Sequence, residues 1–160
     1  MSERLTHVDA SGAARMVDVS DKERSARTAV ATGVLRTTAE VVDLLRSDRL
    51  PKGDALGTAR IAGIMAAKRT PDLVPLCHPI ALSSVAVDVR PDVDQVHITA
   101  TVRTTDRTGV EMEALTAVAV AGLTLHDMVK AVDPAAVLDA VRVERKDGGK
   151  TGTWTRPEGR

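Results

Sequence analysis

Four side chains stand out for the chemistry their types and spacing allow. Asp127 and Lys130, in "HDMVK", lie three residues apart, which on a helix places them face to face across one turn. A carboxylate and an ammonium so placed shift each other's pKa and can divide acid and base roles at the edge of a pocket. At the end of an ordinary helix the same pair is only a solvated salt bridge. Cys77 and His78 share the apolar stretch "LVPLCHPIAL" with Pro75 and Pro79 on either side. A metal finds little support there: Cys77 is the only cysteine, and His7, His97 and His126 show no paired ligand spacing. A cysteine nucleophile would need its base alongside, yet neighbours on an extended chain point to opposite faces. His78 is left as a ligand contact and Cys77 as a small buried residue, in a loop stiffened by its prolines.

Cations form a second group. Lys52 sits in "PKGD", Lys68 in "AAKRT", and Lys146 and Lys150 in "RKDGGKTG". Lys68 answers the dipole of a helix C-terminus. The glycine-rich run lacks the phosphate-loop spacing, although glycines between lysines let backbone amides approach an anion. Several loop lysines in a chain with 22 basic and 22 acidic residues point to a local phosphate site.

The elements that must carry these groups follow from periodicity and punctuation. "MVDVS" reads as a short strand, and Ser20 with Glu23 as a capping box opening a helical turn. "RTAVATGVLRT" reads as a strand. Thr37 with Glu40 forms a second capping box before the helical "AEVVDLLRSD". A small-residue helix starts near Asp54 and runs through "DALGTARIAGIMAAKRT"; "PDLVPLCHPI" is a loop. "ALSSVAVDVRPD" and "DQVHITATVRTTD" alternate as an antiparallel hairpin. Thr108 with Glu111 caps a long helix reaching about Ala131. "DPAAVLDA" reads as a turn and a short helix, and "VRVER" as a last strand.

This order describes an α+β fold, a ferredoxin-like sandwich with an antiparallel sheet packed on helices. It forms one domain over residues 1–160, with short flexible ends near 1–12 and 152–160. From Ala114 to Leu125 the long helix has no charged residue. Such a helix is buried all round, so its second face should meet another subunit. Glu113 and Asp127 bound this stretch within about 40° of one face, yet about 21 Å apart.

Composition narrows the classes of function. Balanced charge gives no field toward nucleic acid or an anionic membrane, and the absence of Phe and Tyr argues against a single-strand binder built on stacking. The N-terminus lacks the blocks of a signal peptide. The uncharged run falls short of the ~20 residues of a membrane span, and a lone cysteine suits a reducing compartment. A cytoplasmic protein is expected.

Two long stretches, "KGDALGTARIAGIMAAKRTPDLVPLCHPI" and "TGVEMEALTAVAVAGLTLHDMVKAVD", resemble the signature blocks of the MoaC family, the cyclic pyranopterin monophosphate synthases of molybdenum cofactor biosynthesis. "LTHVDASGAARMVDVSDKERSARTAVATGVL" and "KDGGKTG" are similar to its ends, so the resemblance covers nearly the whole chain. It implies a phosphorus–oxygen lyase. The substrate would be 3′,8-cyclo-7,8-dihydroguanosine 5′-triphosphate, made from GTP by a radical S-adenosylmethionine enzyme upstream. It would be rearranged to cyclic pyranopterin monophosphate with release of pyrophosphate. By motif, Asp127 and Lys130 resemble the catalytic pair. Leu76, Cys77, His78, Met112 and Glu113 resemble the substrate-binding segments, and Lys52, Lys68 and Lys146, with Arg27, the basic pocket. The resemblance also implies a homohexamer, a trimer of dimers, with active sites between subunits. The sequence itself shows no metal site and no required cofactor, and leaves Mg²⁺ open. Two positions depart from the pattern: His126 where tyrosine is common, and Val129 where cysteine is common.

A rival reading is a non-enzymatic, nucleotide-binding, ferredoxin-like oligomer, which would need the lysines and the apolar helix but not Asp127 with Lys130. A phosphohydrolase would want a metal-binding carboxylate cluster, and the sequence shows none.

Overall fold

The computed structural model describes residues 6–160, so the first five residues of the expected N-terminal end lie outside the described residues. The elements are β1 (Ser25–Arg36), α1 (Ala39–Arg46), α2 (Ala55–Lys68), α3 (Thr70–Leu73), β2 (Leu82–Pro91), β3 (Gln95–Asp106), α4 (Glu111–Val129), β4 (Val137–Asp147) and β5 (Trp154–Thr155). The strands pair antiparallel in the order β2-β3-β1-β4-β5. The chain therefore crosses from β1 over helices to β2 and from β3 over α4 to β4, which is the ferredoxin-like βαββαβ arrangement.

One face of the sheet forms the core. Ala29, Ala31 and Leu35 of β1 and Val96, Ile98, Ala100 and Val102 of β3 are fully buried, at the alternate positions a pleated strand turns to one side. Ala114, Ala117, Val118, Ala121 and Leu125 of α4 are fully buried in the same cluster. Although α4 is long and apolar enough to cross a membrane, these residues are spent on the core. The helix is not covered all round, since Leu123 stays 62% exposed; Ile61 and Met65 of α2 are exposed as well. Close approach of α2 and α4 depends on Gly63, where a side chain would come within 2.9 Å of the Ala117 carbonyl.

Several sequence expectations change at element ends. "MVDVS" is not a strand. Ser20 does not open a helix; its N–H and hydroxyl both donate to Asp18 in a local turn. The N-cap of α1 is Thr38, which accepts from Val41 N–H, while Thr37 donates to Asp133 at 2.8 Å. At α4 no side chain among the described residues caps the first turn and Val110 holds the cap position, so the expected Thr108–Glu111 box does not form. The largest difference is in "DPAAVLDA", where the helical expectation gives way to β4 from Val137 onward. Leu138 and Val137 pair there with Leu35 and Arg36, and edge pairing to β1 overrides the weak helical preference of an Ala-rich segment. Trp154 and Thr155, within the expected C-terminal end, pair with Lys146 and Arg145.

Candidate active site

Asp54 accepts from Gly57 N–H and fixes the start of α2, which sets the loop carrying Lys52. That loop meets the last turn of α4. Lys130 Nζ donates to Asp127 Oδ1 at 2.8 Å, and Lys52 Nζ donates to Oδ2 at 2.8 Å. One carboxylate thus bridges two ammonium groups, all three side chains being about half-exposed. Hydrogen bonds from Lys130 and then Lys52 hold the Asp127 carboxyl at about 2, below its ordinary 3.8. Near neutral pH Asp127 is therefore an anion and a weak proton acceptor. It holds two ammonium groups on one carboxylate, and their remaining N–H bonds can donate to an oxyanion. Sequence spacing identified Asp127 with Lys130 but placed Lys52 among the phosphate lysines. A contact spanning 75 residues leaves no periodic signal.

The other end of α4 gathers the second group. α2 runs antiparallel to α4: the loop before it meets Asp127, and Gly63 packs on Ala117 and Ala121. Lys68, exposed in its last turn, accordingly lies toward the start of α4. There Glu113 is 3% exposed, and burial, reinforced by Glu111, pushes its carboxyl up. Met112 beside it is exposed. Cys77 is close enough for the Glu113 charge to raise its thiol further, after burial, the larger cause. That thiol stays protonated and is a poor nucleophile, in keeping with a packing role. A one-turn helix, α3, opens the Leu76–Cys77–His78 loop, and the Cys77 N–H closes a turn on Val74. His78 Nε2 lies 2.6 Å from the Val17 carbonyl. A carbonyl only accepts, so that nitrogen carries the proton.

Beside this end lies a cavity of about 620 Å³ whose lining includes three cations, Lys22, Arg27 and Lys150, and two carboxylates, Asp21 and Glu23. Arg27 is fixed by donating Nε to the Asp106 carbonyl and Nη2 to the Arg107 carbonyl. Gly148 and Gly149 take φ of 94° and 76°, the left-handed region that favours glycine. A side chain at Gly149 would strike the Arg27 guanidinium. Lys146 pairs with Glu111 at 3.2 Å. Lys22, absent from the sequence-derived candidates, lines the same cavity; its only cue was a lysine inside "SDKE".

The candidates therefore form two groups. Lys52, Asp127 and Lys130 meet at the C-terminal end of α4. Leu76, Cys77, His78, Met112, Glu113, Lys68, Lys146 and Arg27 lie toward its N-terminal end, about 21 Å away at 1.5 Å per residue.

The site residues thus sit on an antiparallel α+β fold, with a carboxylate–dilysine cluster at one end of α4 and a separate cavity near the other. The MoaC family model matches residues 16–149. A cyclic pyranopterin monophosphate synthase of Streptomyces coelicolor is 67% identical over 154 residues, covering 96% of this chain and 91% of the relative. A protein of Mycobacterium tuberculosis named cyclic pyranopterin monophosphate synthase 2 is 63% identical over 155 residues, covering 97% and 93%. One of Novosphingobium aromaticivorans is 56% identical over 154 residues, covering 96% and 98%. The chain belongs to the MoaC family.

Proposed function

We propose that this protein is a cyclic pyranopterin monophosphate synthase of molybdenum cofactor biosynthesis, acting in the cytoplasm on 3′,8-cyclo-7,8-dihydroguanosine 5′-triphosphate and releasing pyrophosphate. The observation that carries the reading is Asp127 bridging Lys52 and Lys130, in a chain of this family with Lys22, Arg27 and Lys150 at a cavity and Lys146 in the recess adjoining it. Turning a triphosphate into a cyclic monophosphate exchanges a phosphorus–oxygen bond to pyrophosphate for one to a hydroxyl of the same molecule. The departing anion needs cations, which Arg27, Lys22, Lys68, Lys146 and Lys150 supply. Rebuilding the ring needs protons moved at fixed positions, and the Lys130 and Lys52 ammonium groups held by Asp127 are the donors for that task. His78, Leu76, Cys77, Met112 and Glu113 form the wall against the substrate.

A substrate of this size does not span 21 Å, so one active site takes the two ends of α4 from two chains of a homohexamer. The exposed Ile61 and Met65 of α2 and Leu123 of α4 support such an assembly, since exposed apolar side chains seek cover. Sedimentation at low concentration should show a species larger than a dimer; a stable monomer would remove the shared site. The assay for the reaction supplies the cyclised GTP intermediate. It measures pyrophosphate and, after oxidation, a fluorescent pterin. Pyrophosphate binding without either product would favour the non-enzymatic nucleotide-binding reading.

A further inference from the structure

We propose that Glu111 is a competitive latch for Lys146: its carboxylate and a phosphate oxygen of the ligand exchange places on the same ammonium, and this exchange sets how readily pyrophosphate leaves. The inference rests on the reading that the cation-lined cavity takes the phosphates.

Glu111 is the first residue of α4 and Lys146 the next-to-last residue of β4. Their side chains meet at 3.2 Å, 29% and 38% exposed. The pair lies in a small recess, lined also by Arg27, Gly148 and Thr151, that adjoins the larger cavity through Arg27 and Thr151. Among the described residues no side chain caps α4, so Glu111 takes no part in a capping box. Its carboxylate also folds back over Gly109, where any side chain would collide with it.

The neighbouring charges cannot substitute. Asp147 is committed to Arg145 at 2.9 Å and to Thr153 at 2.8 Å. Arg27 is already held by two backbone carbonyls, so its direction needs no carboxylate. Lys146 is the cation of this recess whose direction is set by a carboxylate. A part-exposed single-contact ion pair adds little to stability, which makes it easily exchanged. A phosphate oxygen carries comparable or greater charge and accepts the same N–H donors. Glu111 therefore positions Lys146 and lowers the net affinity of the cavity for phosphate.

Calorimetric titration of the assembled enzyme with inorganic pyrophosphate at fixed ionic strength tests the latch. Four forms are needed: the parent, Glu111→Gln, Lys146→Ala and the double variant. Glu111→Gln should bind pyrophosphate more tightly by about two- to fivefold, the range set by one such ion pair. Lys146→Ala should bind more weakly, and adding Glu111→Gln to it should change nothing further. Unchanged or weaker binding by Glu111→Gln overturns the latch. So does an equal gain with and without Lys146, which would mean that Glu111 acts only through its general field. Failure of the parent to bind pyrophosphate would overturn the phosphate reading of the cavity and the latch together. Parent binding with a flat Glu111→Gln response would overturn the latch alone.

Discussion

Replacing Asp127 by asparagine keeps the size of the side chain and one acceptor oxygen but removes the charge on which two ammonium groups converge. In the structure each carboxylate oxygen takes one lysine at 2.8 Å, and this arrangement lowers the carboxyl from 3.8 to about 2. The single amide oxygen replaces only one of these two carboxylate oxygens, and the NH₂ group in the other's place repels the second lysine. A positioned proton-transfer group contributes roughly 10²–10⁴ in rate, so turnover of the cyclised intermediate should fall by that range. Lys52→Ala and Lys130→Ala should fall comparably. Double variants should be little worse than single ones, since the three groups act as a unit. Stability should barely change, because half-exposed ion pairs contribute little. Steady-state rates, with melting curves and sedimentation as controls, decide the matter. Asp127→Asn turning over within about tenfold of the parent would show that the cluster is only a surface ion-pair network. The same low pKa makes a second demand. The folded value is depressed, so the contribution of Asp127 to stability is complete above its ordinary 3.8 and is lost as pH falls through about 2. An acid-side loss of activity near pH 4 to 5 must then come from another group.

Glu113 should behave oppositely. Its folded pKa is raised from an ordinary 4.5 by burial, so its favourable contribution is complete below 4.5 and is lost as pH rises through the folded value. Glu113→Gln should raise the melting temperature at pH 7 and lose that advantage at pH 4; an offset independent of pH would refute the burial account. The cavity cations divide by place: Lys146→Ala and Arg27→Ala should weaken pyrophosphate binding and flatten its salt dependence. Lys52→Ala, in the Asp127 cluster, should mainly lower kcat. Equal effects of Lys52→Ala and Lys146→Ala on pyrophosphate affinity would show that the two ends of α4 do not divide the work.

The strands β1, β2 and β3 and the helices α1, α2 and α4 were legible because each depends on a local pattern. The alternation of β1 and β3 survives as alternating burial, and Asp54 caps α2 as its side chain suggests. Errors fall where a distant partner decides. Val137 and Leu138 are strand residues because β1 offers an edge, information that "DPAAVLDA" does not contain. Capping boxes read from spacing failed at Ser20, Thr37 and Thr108: Ser20 bonds Asp18, Thr38 takes the cap of α1, and Val110 holds the cap position of α4. Among the candidate residues, spacing alone paired Asp127 with Lys130, since i,i+3 is local. It could not place Lys52 beside them, nor Lys22 at the cavity, because both depend on tertiary packing.

The distance along α4 connects these observations. A helix of 19 residues at 1.5 Å per residue is a rigid spacer of roughly 28 Å, and α2 stiffens it through the close approach at Gly63. No hinge within one chain brings Asp127 to the Arg27 cavity while that packing lasts. Proton transfer and phosphate binding must act on one molecule for the proposed reaction, so the two functions meet only if a second chain supplies the missing end. On the proposed function, catalysis would then depend on assembly. Mixing Asp127→Asn chains with Arg27→Ala chains should regenerate sites that contain both native residues, with activity above that of either variant alone. Activity of the mixture that never exceeds the two separate variants would place the whole site within one chain and require α2 and α4 to separate.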